Sequence, residues 1–424
     1  MSRIALSSPA LSRTTTTAIA VVSALGLGLG LTSCSSGGSG QVGANAKQTL
    51  TVWAMGEEGA RIDGVAKKFN EKYPDITVKV TPIGWDVAHQ KLVSAAAADK
   101  LPDMAQLGST WVGEFIDLGV LEPVDTKTFK KDDFFPAAWK GNEKDGEVYG
   151  VPWYVDTRVL YYRTDLAEKA GVDKAPVTWD EHLELAESLK KLDSTKWAFS
   201  LPAGGQGSWQ NWLPYLFSAG GSLTDADGRL TLDSPEAITA FTEYQKYFEA
   251  GLAKNTTAAP GYDVIKDFGA DRVPMFASGP WMVQNINDQL PQLKGKWDAV
   301  PLPHGEQPAS MIGGSSLVSF ASSEHKAAAQ EFTKFLTDAT TQADWYEMAK
   351  SLPANKAAWQ EPALKNADVD VFRKSLDSAG DVPPLAQWEQ IAHEIDVTLE
   401  KLAKGGDPAT LAGQLQKKTE GMVG

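Results

Sequence analysis

Three short apolar runs between Leu50 and Trp111 decide the fold. They read LTVWAMGEEG at residues 50–59, ITVKVTPIGW at residues 76–85 and MAQLGSTW at residues 104–111. Each begins with the β-branched and apolar side chains that are typical of buried strands. The segments between them carry apolar residues at helical spacing. The stretch therefore predicts a βαβαβ unit with parallel strands and right-handed crossovers.

A tryptophan lies at or just beyond the end of each predicted strand: Trp53, Trp85 and Trp111. In open α/β sheets, ligands bind outside the carboxyl ends of the strands. If the three strands are parallel neighbours, the three tryptophan regions meet along one rim. Indoles beside hydroxyls and carboxylates suit a polar ligand with apolar faces, and a sugar is the leading candidate.

Composition narrows the function further. The 424 residues suggest two or three domains, and the net charge of −14 argues against nucleic-acid binding. The five histidines are dispersed and form no metal-ligand pattern, so no metal is expected. The glycines of residues 203–212 do not match a phosphate-binding loop. No cofactor is therefore expected.

The amino-terminal segment has the pattern of a secretion signal. Residues 1–33 carry two arginines and then an apolar run too short to span a membrane comfortably. The Leu31-Thr-Ser-Cys34 run resembles the lipobox of bacterial lipoproteins, which implies a lipid anchor on Cys34, the single cysteine. Residues 34–46 are then predicted to be the lipidated cysteine and a flexible, Ser- and Gly-rich tether. The alternative is an ordinary secreted protein with a chance cysteine.

Several local patterns carry structural predictions. The mixed, extended segment Val148–Arg163 could cross from one lobe to another. Thr178 and Glu181 have the spacing of a capping box at a helix start. Ser109 is placed to cap the helix after the third strand, and Trp212 is expected to face the core.

Taken together, the mature chain resembles the extracellular solute-binding proteins of bacterial ABC importers, in the group typified by maltose-binding protein. The resemblance covers nearly all of it and depends on the order and spacing of many short motifs. Besides the lipobox these are Thr51–Trp53, Ala66–Pro74, Leu101–Asp103, Tyr149–Trp153, Leu160–Tyr162, Thr178–Glu181, Gly279–Trp281, Gly313–Ser315 and Glu331–Phe332.

The resemblance implies a two-lobed α/β fold of the periplasmic-binding-protein type, with a hinge and a ligand cleft between the lobes. Lobe one would hold residues 47–153 and 318–360, and lobe two residues 154–317 and 361–424. The implied function is the substrate-binding component of a carbohydrate importer, in which the ligand bridges both lobes and favours closure. The implied partners are a sugar and the permease subunits, and the several tryptophans favour an oligosaccharide over a monosaccharide. The implied location is the outer face of the cell membrane, as a lipid-anchored monomer.

The candidate ligand contacts follow from the predicted rim and from the resemblance. On lobe one they supply indoles for stacking, a carboxylate and hydroxyls; on lobe two and the crossings they supply a carboxylate, three indoles and a backbone N–H. They are Trp53, Glu57, Trp85, Ser109, Thr110, Asp156, Trp209, Trp281, Gly314 and Trp388. For Asp156 the alternative is an ion pair with Arg158, and for Trp388 it is a place in the core stripe of its helix.

Three other functions remain open at this stage. A lipid-anchored glycoside hydrolase would need two carboxylates at a fixed separation, and no pair stands out. The same fold could bind a polyamine, metal or amino acid, although the richness in tryptophan favours a sugar. An adhesive surface protein would fit the lipobox but not the two-lobe pattern. We therefore expect a transport protein, not an enzyme.

Overall fold

A computed structural model of the protein describes residues 42–43, 46–259, 262–365, 367–380 and 382–423. The predicted signal peptide and Cys34 lie outside the described residues. Its strands are β1 (Gln48–Met55), β2 (Ile76–Ile83), β3 (Met104–Gly108), β4 (Glu143–Lys144), β5 (Glu147–Val148), β6 (Val151–Asp156), β7 (Val159–Tyr162), β8 (Phe199–Ser200), β9 (Met275–Ser278), β10 (Asp298–Pro301), β11 (Ser310–Met311), β12 (Gly313–Ser319), β13 (Leu352–Pro353) and β14 (Ala379–Gly380).

The α-helices run between and after these strands. They are α1 (Gly56–Arg61), α2 (Asp63–Lys72), α3 (Trp85–Ala97), α4 (Val112–Asp117), α5 (Pro136–Lys140), α6 (Thr164–Lys169), α7 (Trp179–Lys190), α8 (Trp209–Ser218), α9 (Pro235–Glu249), α10 (Val264–Gly269), α11 (Trp281–Gln289), α12 (Lys326–Leu336), α13 (Ala339–Ala349), α14 (Ala367–Asp377), α15 (Trp388–Ala403) and α16 (Pro408–Thr419). None of these helices combines the length and apolar character needed to cross a bilayer.

Lobe one is built on a six-stranded sheet in the order β13-β6-β12-β3-β1-β2. Strand β1 pairs in parallel with both β2 and β3, which confirms the predicted βαβαβ unit. One face of β1 is covered by α2 and α12, on which Leu50, Val52 and Ala54 pack. The other face is covered at the carboxyl end of the strand, where Met55 packs against α3 and α4, while Thr49 near the start is exposed.

Lobe two is built on a four-stranded sheet in the order β10-β7-β9-β8. One face is covered by α7, α8, α9, α15 and α16, whose apolar side chains form a single large cluster. The predicted capping box holds: the Thr178 hydroxyl accepts from the Glu181 N–H, and the Glu181 carboxylate accepts from the Thr178 N–H, which starts α7.

The crossings between the sheets lie side by side. The predicted crossing at Val148–Arg163 contains β6 in the first sheet and β7 in the second, so the chain passes between lobes at Thr157 and Arg158. A second crossing contains β11. The chain returns to lobe two between β13 and α14, which packs on β7 and β10, and β14 then pairs in parallel with β11. The predicted lobe boundaries, at 153/154 and 317/318, fall inside β6 and β12, because both strands belong wholly to the first sheet.

The start of the folded body differs slightly from the expected position near Lys47. Val42, within the predicted tether, donates its N–H to the Glu324 carbonyl, and the Gln48 amide donates to the Gly43 carbonyl. Part of the segment assigned to the tether therefore packs on lobe one. Trp212 lies in the core as predicted, fully buried and stacked on Phe241 with 4.4 Å between ring centroids.

Candidate functional site

Two of the three predicted rim tryptophans meet at the carboxyl ends of the parallel strands. Trp85 is the first residue of α3 and remains 36% exposed, whereas Trp111 immediately precedes α4 and is buried. Their rings meet edge to face with centroids 5.3 Å apart. Gly56, with a φ of +57°, permits this packing, because a Cβ there would lie 2.5 Å from the Trp85 indole nitrogen. The exposed indole is thus held in a fixed orientation at the strand ends.

Trp53 lies beside this pair but is covered differently. Its side chain is half-buried and packs against the cluster that contains Trp111. The Lys91 ammonium group, from α3, lies 4.7 Å from the ring centroid of Trp53. A cation over an indole face is a favourable contact, and here it covers one face of the Trp53 ring. Ligand stacking on Trp53 would therefore have to replace Lys91 or use the opposite face of the indole.

The two carboxylates after β1 fall in the first turns of α1. The side chain of Glu57, the preferred candidate, lies outside the described part of the structure. Glu58 is half-buried, and its carboxylate accepts a hydrogen bond of 2.9 Å from the Ser351 hydroxyl. Glu58 thereby links the start of α1 to the loop before β13, in the same lobe.

Ser109 and Gly314 adjoin each other. The Ser109 N–H donates to the Gly314 carbonyl at 3.0 Å, and Ser109 also lines a small surface cavity with Gly313 and Val382. The predicted capping role of Ser109 is wrong, because α4 starts three residues later with Trp111 at the N-cap position and no side-chain cap. Gly314 has a φ of +126°, and a Cβ there would lie 2.1 Å from the Tyr154 carbonyl oxygen. Only glycine fits this position.

A charged cluster that the sequence did not reveal lies behind the rim. The imidazole of His89 forms a hydrogen bond of 2.6 Å with the Glu114 carboxylate, and its ring lies 5.2 Å from that of Trp111. This hydrogen bond raises the pKa of His89, although burial opposes the increase. A usable signal was the spacing of Trp85 and His89, which are four residues apart and so share one face of α3.

The same cluster includes Glu389, one residue after the candidate Trp388. Burial raises the pKa of Glu389, while the His89 charge and hydrogen bonds from Trp111 and Thr110 lower it. Because α15 packs in the core of lobe two, this carboxylate brings a lobe-two helix into contact with the rim of lobe one. Thr110 therefore has a protein partner in this conformation.

Asp156, Arg158 and Trp281 come together at the first crossing. The Arg158 guanidinium donates to the Asp156 carboxylate at 3.1 Å, as the alternative for Asp156 anticipated, and also to the side chain of Gln210. Its central carbon lies 5.2 Å from the centroid of the Trp281 ring. Trp281 starts α11 and is 37% exposed. An exposed indole thus lies against a buried guanidinium, which is paired in turn with a largely covered carboxylate.

Trp209 and Trp388 do not belong to an exposed surface. Trp209 is 7% exposed and Trp388 has no exposed surface; their rings meet edge to face at 5.0 Å in the lobe-two core. In this conformation Trp388 cannot stack on a ligand, and it occupies the core stripe that its helical spacing also allowed. Trp209 is drawn inward because its own N–H, the Ser208 hydroxyl and the Gly207 N–H all donate to the buried carboxylate of Asp396.

The described residues contain no group of three or more histidine, cysteine and acidic side chains arranged to hold a metal ion. The chemistry at the rim and at the first crossing is instead hydrogen bonding and stacking. Both features occur at concave sites that bind neutral polar ligands.

Comparison with known proteins identifies the family. The family model described as bacterial extracellular solute-binding protein matches residues 53–343. This chain belongs to that family. A binding protein of Brucella abortus is 27% identical to this solute-binding protein over 396 residues, which cover 92% of this chain and 95% of the relative. The diacetylchitobiose-binding protein DasA of Streptomyces coelicolor is 26% identical, with 88% of this chain and 89% of the relative covered.

The solved structures give the same result for the fold. The sugar-binding protein MalE of Xanthomonas citri is 31% identical to this solute-binding protein, with a TM-score of 0.80 and coverage of 88% of this chain and 97% of that one. The two-lobed α/β fold predicted from sequence is confirmed. Because the family consists of binding proteins used in transport, the expectation that the chain is not an enzyme is also confirmed.

Proposed function

We propose that this solute-binding protein captures an oligosaccharide for an ABC importer, with Trp85 on lobe one and Trp281 beside the first crossing as its stacking platforms. The observation that carries the proposal is their exposure: both are large apolar side chains at the surface, fixed in orientation by a ring or cation beneath them. Indoles presented in this way match the C–H faces of pyranose rings. The names of two relatives, which bind diacetylchitobiose and sugar, agree with this ligand class.

The polar half of the proposed site would come from the crossings and the rim. Asp156 offers carboxylate oxygens and Arg158 offers guanidinium N–H groups, and together these can pair with vicinal hydroxyls. Ser109 and Gly314 would add a hydroxyl and a backbone group. A ligand that contacts both lobes would stabilise the closed state relative to the open one. The closed protein would then deliver the ligand to the permease. A dissociation constant of about 1 μM, or roughly 8 kcal/mol, would suit such a site.

Calorimetric titration tests this function. The protein is titrated with monosaccharides and with cello-, malto-, xylo- and chito-oligosaccharides, first as wild type and then as Trp281→Ala. We expect one oligosaccharide class to bind, and the substitution to weaken that binding by about tenfold or more, as truncation of a central aromatic contact does. The control is Trp197→Ala, because Trp197 also has a cation against its ring, from Lys190, but lies away from both platforms.

Each outcome has a definite meaning. Equal loss of affinity in both variants would show that Trp281 is not a platform. Absence of binding across the panel would reject a sugar ligand while leaving the family assignment in place. Release of shorter sugars during the titration would point to hydrolysis and would contradict a transport role.

We also propose that the protein is a monomer anchored through a lipid on Cys34 at the outer face of the cell membrane. The lipobox pattern of residues 31–34 supports the anchor. Growth with labelled palmitate should label the wild-type protein and not Cys34→Ser. Release of wild-type protein into the medium to the same extent as the variant would contradict the anchor.

A further inference from the structure

The indole of Trp281 lies directly against the backbone of Gly279, two residues earlier in the chain. A Cβ built on Gly279 would meet three carbons of the six-membered ring of Trp281, and even the farthest of the three would lie at 2.7 Å. Carbon atoms in favourable contact lie about 3.5–4.0 Å apart. Gly279 is buried, whereas Trp281 is 37% exposed. The ring therefore takes the space that a side chain at residue 279 would fill.

The path of the chain explains this contact. Strand β9 ends at Ser278, Pro280 occupies the N-cap position with a φ of −65°, and α11 begins at Trp281. Side chains in a helix lean toward its N-terminus, so an indole at the first position reaches back over the residues that precede the helix. Proline fixes the φ angle of the residue in between, which restricts where the ring can lie relative to Gly279.

Gly279 is in turn fixed to the sheet of lobe two. The hydroxyl of Tyr161, on β7, donates a hydrogen bond of 2.7 Å to the Gly279 carbonyl. Tyr161 is fully buried and stacks on Phe276 with 5.0 Å between ring centroids. The peptide on which the indole lies is therefore anchored by a side chain of the core.

The strand register brings Arg158 to the same place. Val159 of β7 pairs with Ser278 of β9 in an antiparallel ladder, so Arg158 and Gly279 lie opposite each other just beyond its end. This register accounts for the approach of the Arg158 guanidinium to Trp281, with 5.2 Å between its central carbon and the ring centroid. The indole thus has two neighbours that limit its orientation, the Gly279 backbone and the guanidinium.

We propose that Gly279 is a positioning residue for the sugar site, because its lack of a side chain sets the orientation in which Trp281 is presented to the ligand. This inference rests on the proposed function of Trp281 as a stacking platform. The φ of residue 279 is not positive, so it does not by itself require glycine. In Gly279→Ala the overlap is relieved by movement of the exposed indole, and the ring should be displaced without unfolding of the protein.

Fluorine NMR tests the orientation without any ligand, in protein labelled with a tryptophan that carries fluorine at Cζ3. This carbon is one of the three next to Gly279, and Trp281→Phe assigns its resonance. We expect Gly279→Ala to shift this resonance while the unfolding temperature Tm changes little. An unmoved resonance would overturn the proposal.

Tyr161→Phe is the second variant, because it leaves the glycine in place and removes the hydrogen bond to its carbonyl. We expect a smaller shift of the Trp281 resonance. If Gly279→Ala does not fold, this variant decides, and an unmoved resonance would again overturn the proposal.

Calorimetric titration tests whether the orientation matters for binding. The probes are the cello-, malto-, xylo- and chito-oligosaccharides used for the wild type, and Gly279→Ala should weaken binding as Trp281→Ala does, by about tenfold. A shifted resonance with unchanged affinity, where Trp281→Ala does weaken binding, would overturn the proposal. Absence of binding across the panel, or full affinity in Trp281→Ala, would instead reject the proposed function, and the resonance alone would then decide whether Gly279 positions the ring.

Gly305→Ala is the matched control. A Cβ at Gly305 would meet the same three ring carbons of Trp179, at 2.5 to 2.9 Å, and the φ of Gly305 is not positive either. Trp179 starts α7, stacks on Tyr215 with 5.7 Å between ring centroids, and is not part of either platform. We expect this variant to shift the Trp179 resonance and to leave the Trp281 resonance and the sugar affinity unchanged. Equal loss of affinity in the two glycine variants would contradict the proposal.

Discussion

The two edge-to-face pairs of tryptophans in this protein have nearly the same ring geometry and opposite surroundings. Trp85 and Trp111 lie 5.3 Å apart at an interplanar angle of 62°, and Trp209 and Trp388 lie 5.0 Å apart at 84°. Yet Trp85 is 36% exposed and Trp388 has no exposed surface. We refer to them as the rim pair and the core pair. An indole at a helix start therefore becomes an exposed platform or a core residue according to what packs over it.

The largest effect on the free energy of unfolding is expected for a substitution in the core pair. Trp388→Ala should lower the free energy of unfolding by about 3–5 kcal/mol, because it removes a fully buried indole and leaves a cavity. Urea denaturation monitored by circular dichroism measures the change. A loss below about 1 kcal/mol would mean that Trp388 is not part of the core and would favour a role as a ligand contact.

A second variant removes the group that draws Trp209 inward. Asp396→Ala should cost about 3 kcal/mol, because the N–H groups of Gly207 and Trp209 and the Ser208 hydroxyl would lose a charged acceptor. Asp396→Asn keeps one acceptor oxygen and should cost less. Urea denaturation of both variants gives the comparison, and equal losses for the two would show that the loop does not depend on the hydrogen bonds.

The next largest effect is the pH dependence that buried His182 gives to the free energy of unfolding. The unfolded imidazole takes up a proton near pH 6.5, whereas the folded one does so only near pH 3. Between these values the unfolded state binds more protons, so stability falls as pH falls, by about 1.4 kcal/mol per pH unit. Acidification from pH 6.5 to 5 should thus cost about 2 kcal/mol, which His182→Gln should abolish.

Denaturation curves at several pH values measure this slope. His304→Gln is the control, because His304 is half-buried and its ring contacts the Gly305 carbonyl. An unchanged slope in His182→Gln would show that another group causes the acid sensitivity. His89 acts in the opposite direction, since its pKa is raised and its pairing with Glu114 is lost as pH rises.

The smallest effect on stability belongs to the rim pair. Trp85→Ala should lower the free energy of unfolding by less than about 2 kcal/mol, because the indole is 36% exposed and loses fewer contacts than a buried one. The same substitution should weaken sugar binding, which titration calorimetry measures. A large loss of stability with unchanged affinity would reverse the assignment of the two pairs.

The sequence predicted those parts of the fold that depend on local pattern. The strands β1 and β3 were recognisable from their apolar runs, and β3 is buried along its whole length. Strand β2 was recognisable because Ile76, Val78 and Val80 alternate with more exposed residues. The start of α7 was recognisable because a capping box uses residues three positions apart. The lobe boundaries were less accurate, because the sequence of β12 does not reveal that Gly313–Ser316 already pairs with β3 and β6.

The site was predicted less well because exposure depends on distant residues. Trp209 follows a Gly-rich loop and resembled a platform, but the loop is tied inward by Asp396, which lies 187 residues later. Glu389 was missed for the same reason, since its hydrogen-bonding partners Thr110 and Trp111 belong to the other lobe. Contacts between residues so far apart along the chain leave no local pattern in the sequence.

One side chain joins the crossings to each other. The Ser310 hydroxyl accepts hydrogen bonds from the Thr157 hydroxyl and the Arg158 N–H and donates to the Arg158 carbonyl, while its own strand β11 pairs with β14. Strand β11 is thereby joined both to the first crossing and to β14. Any change in the angle between the two sheets therefore has to be accommodated by these segments together.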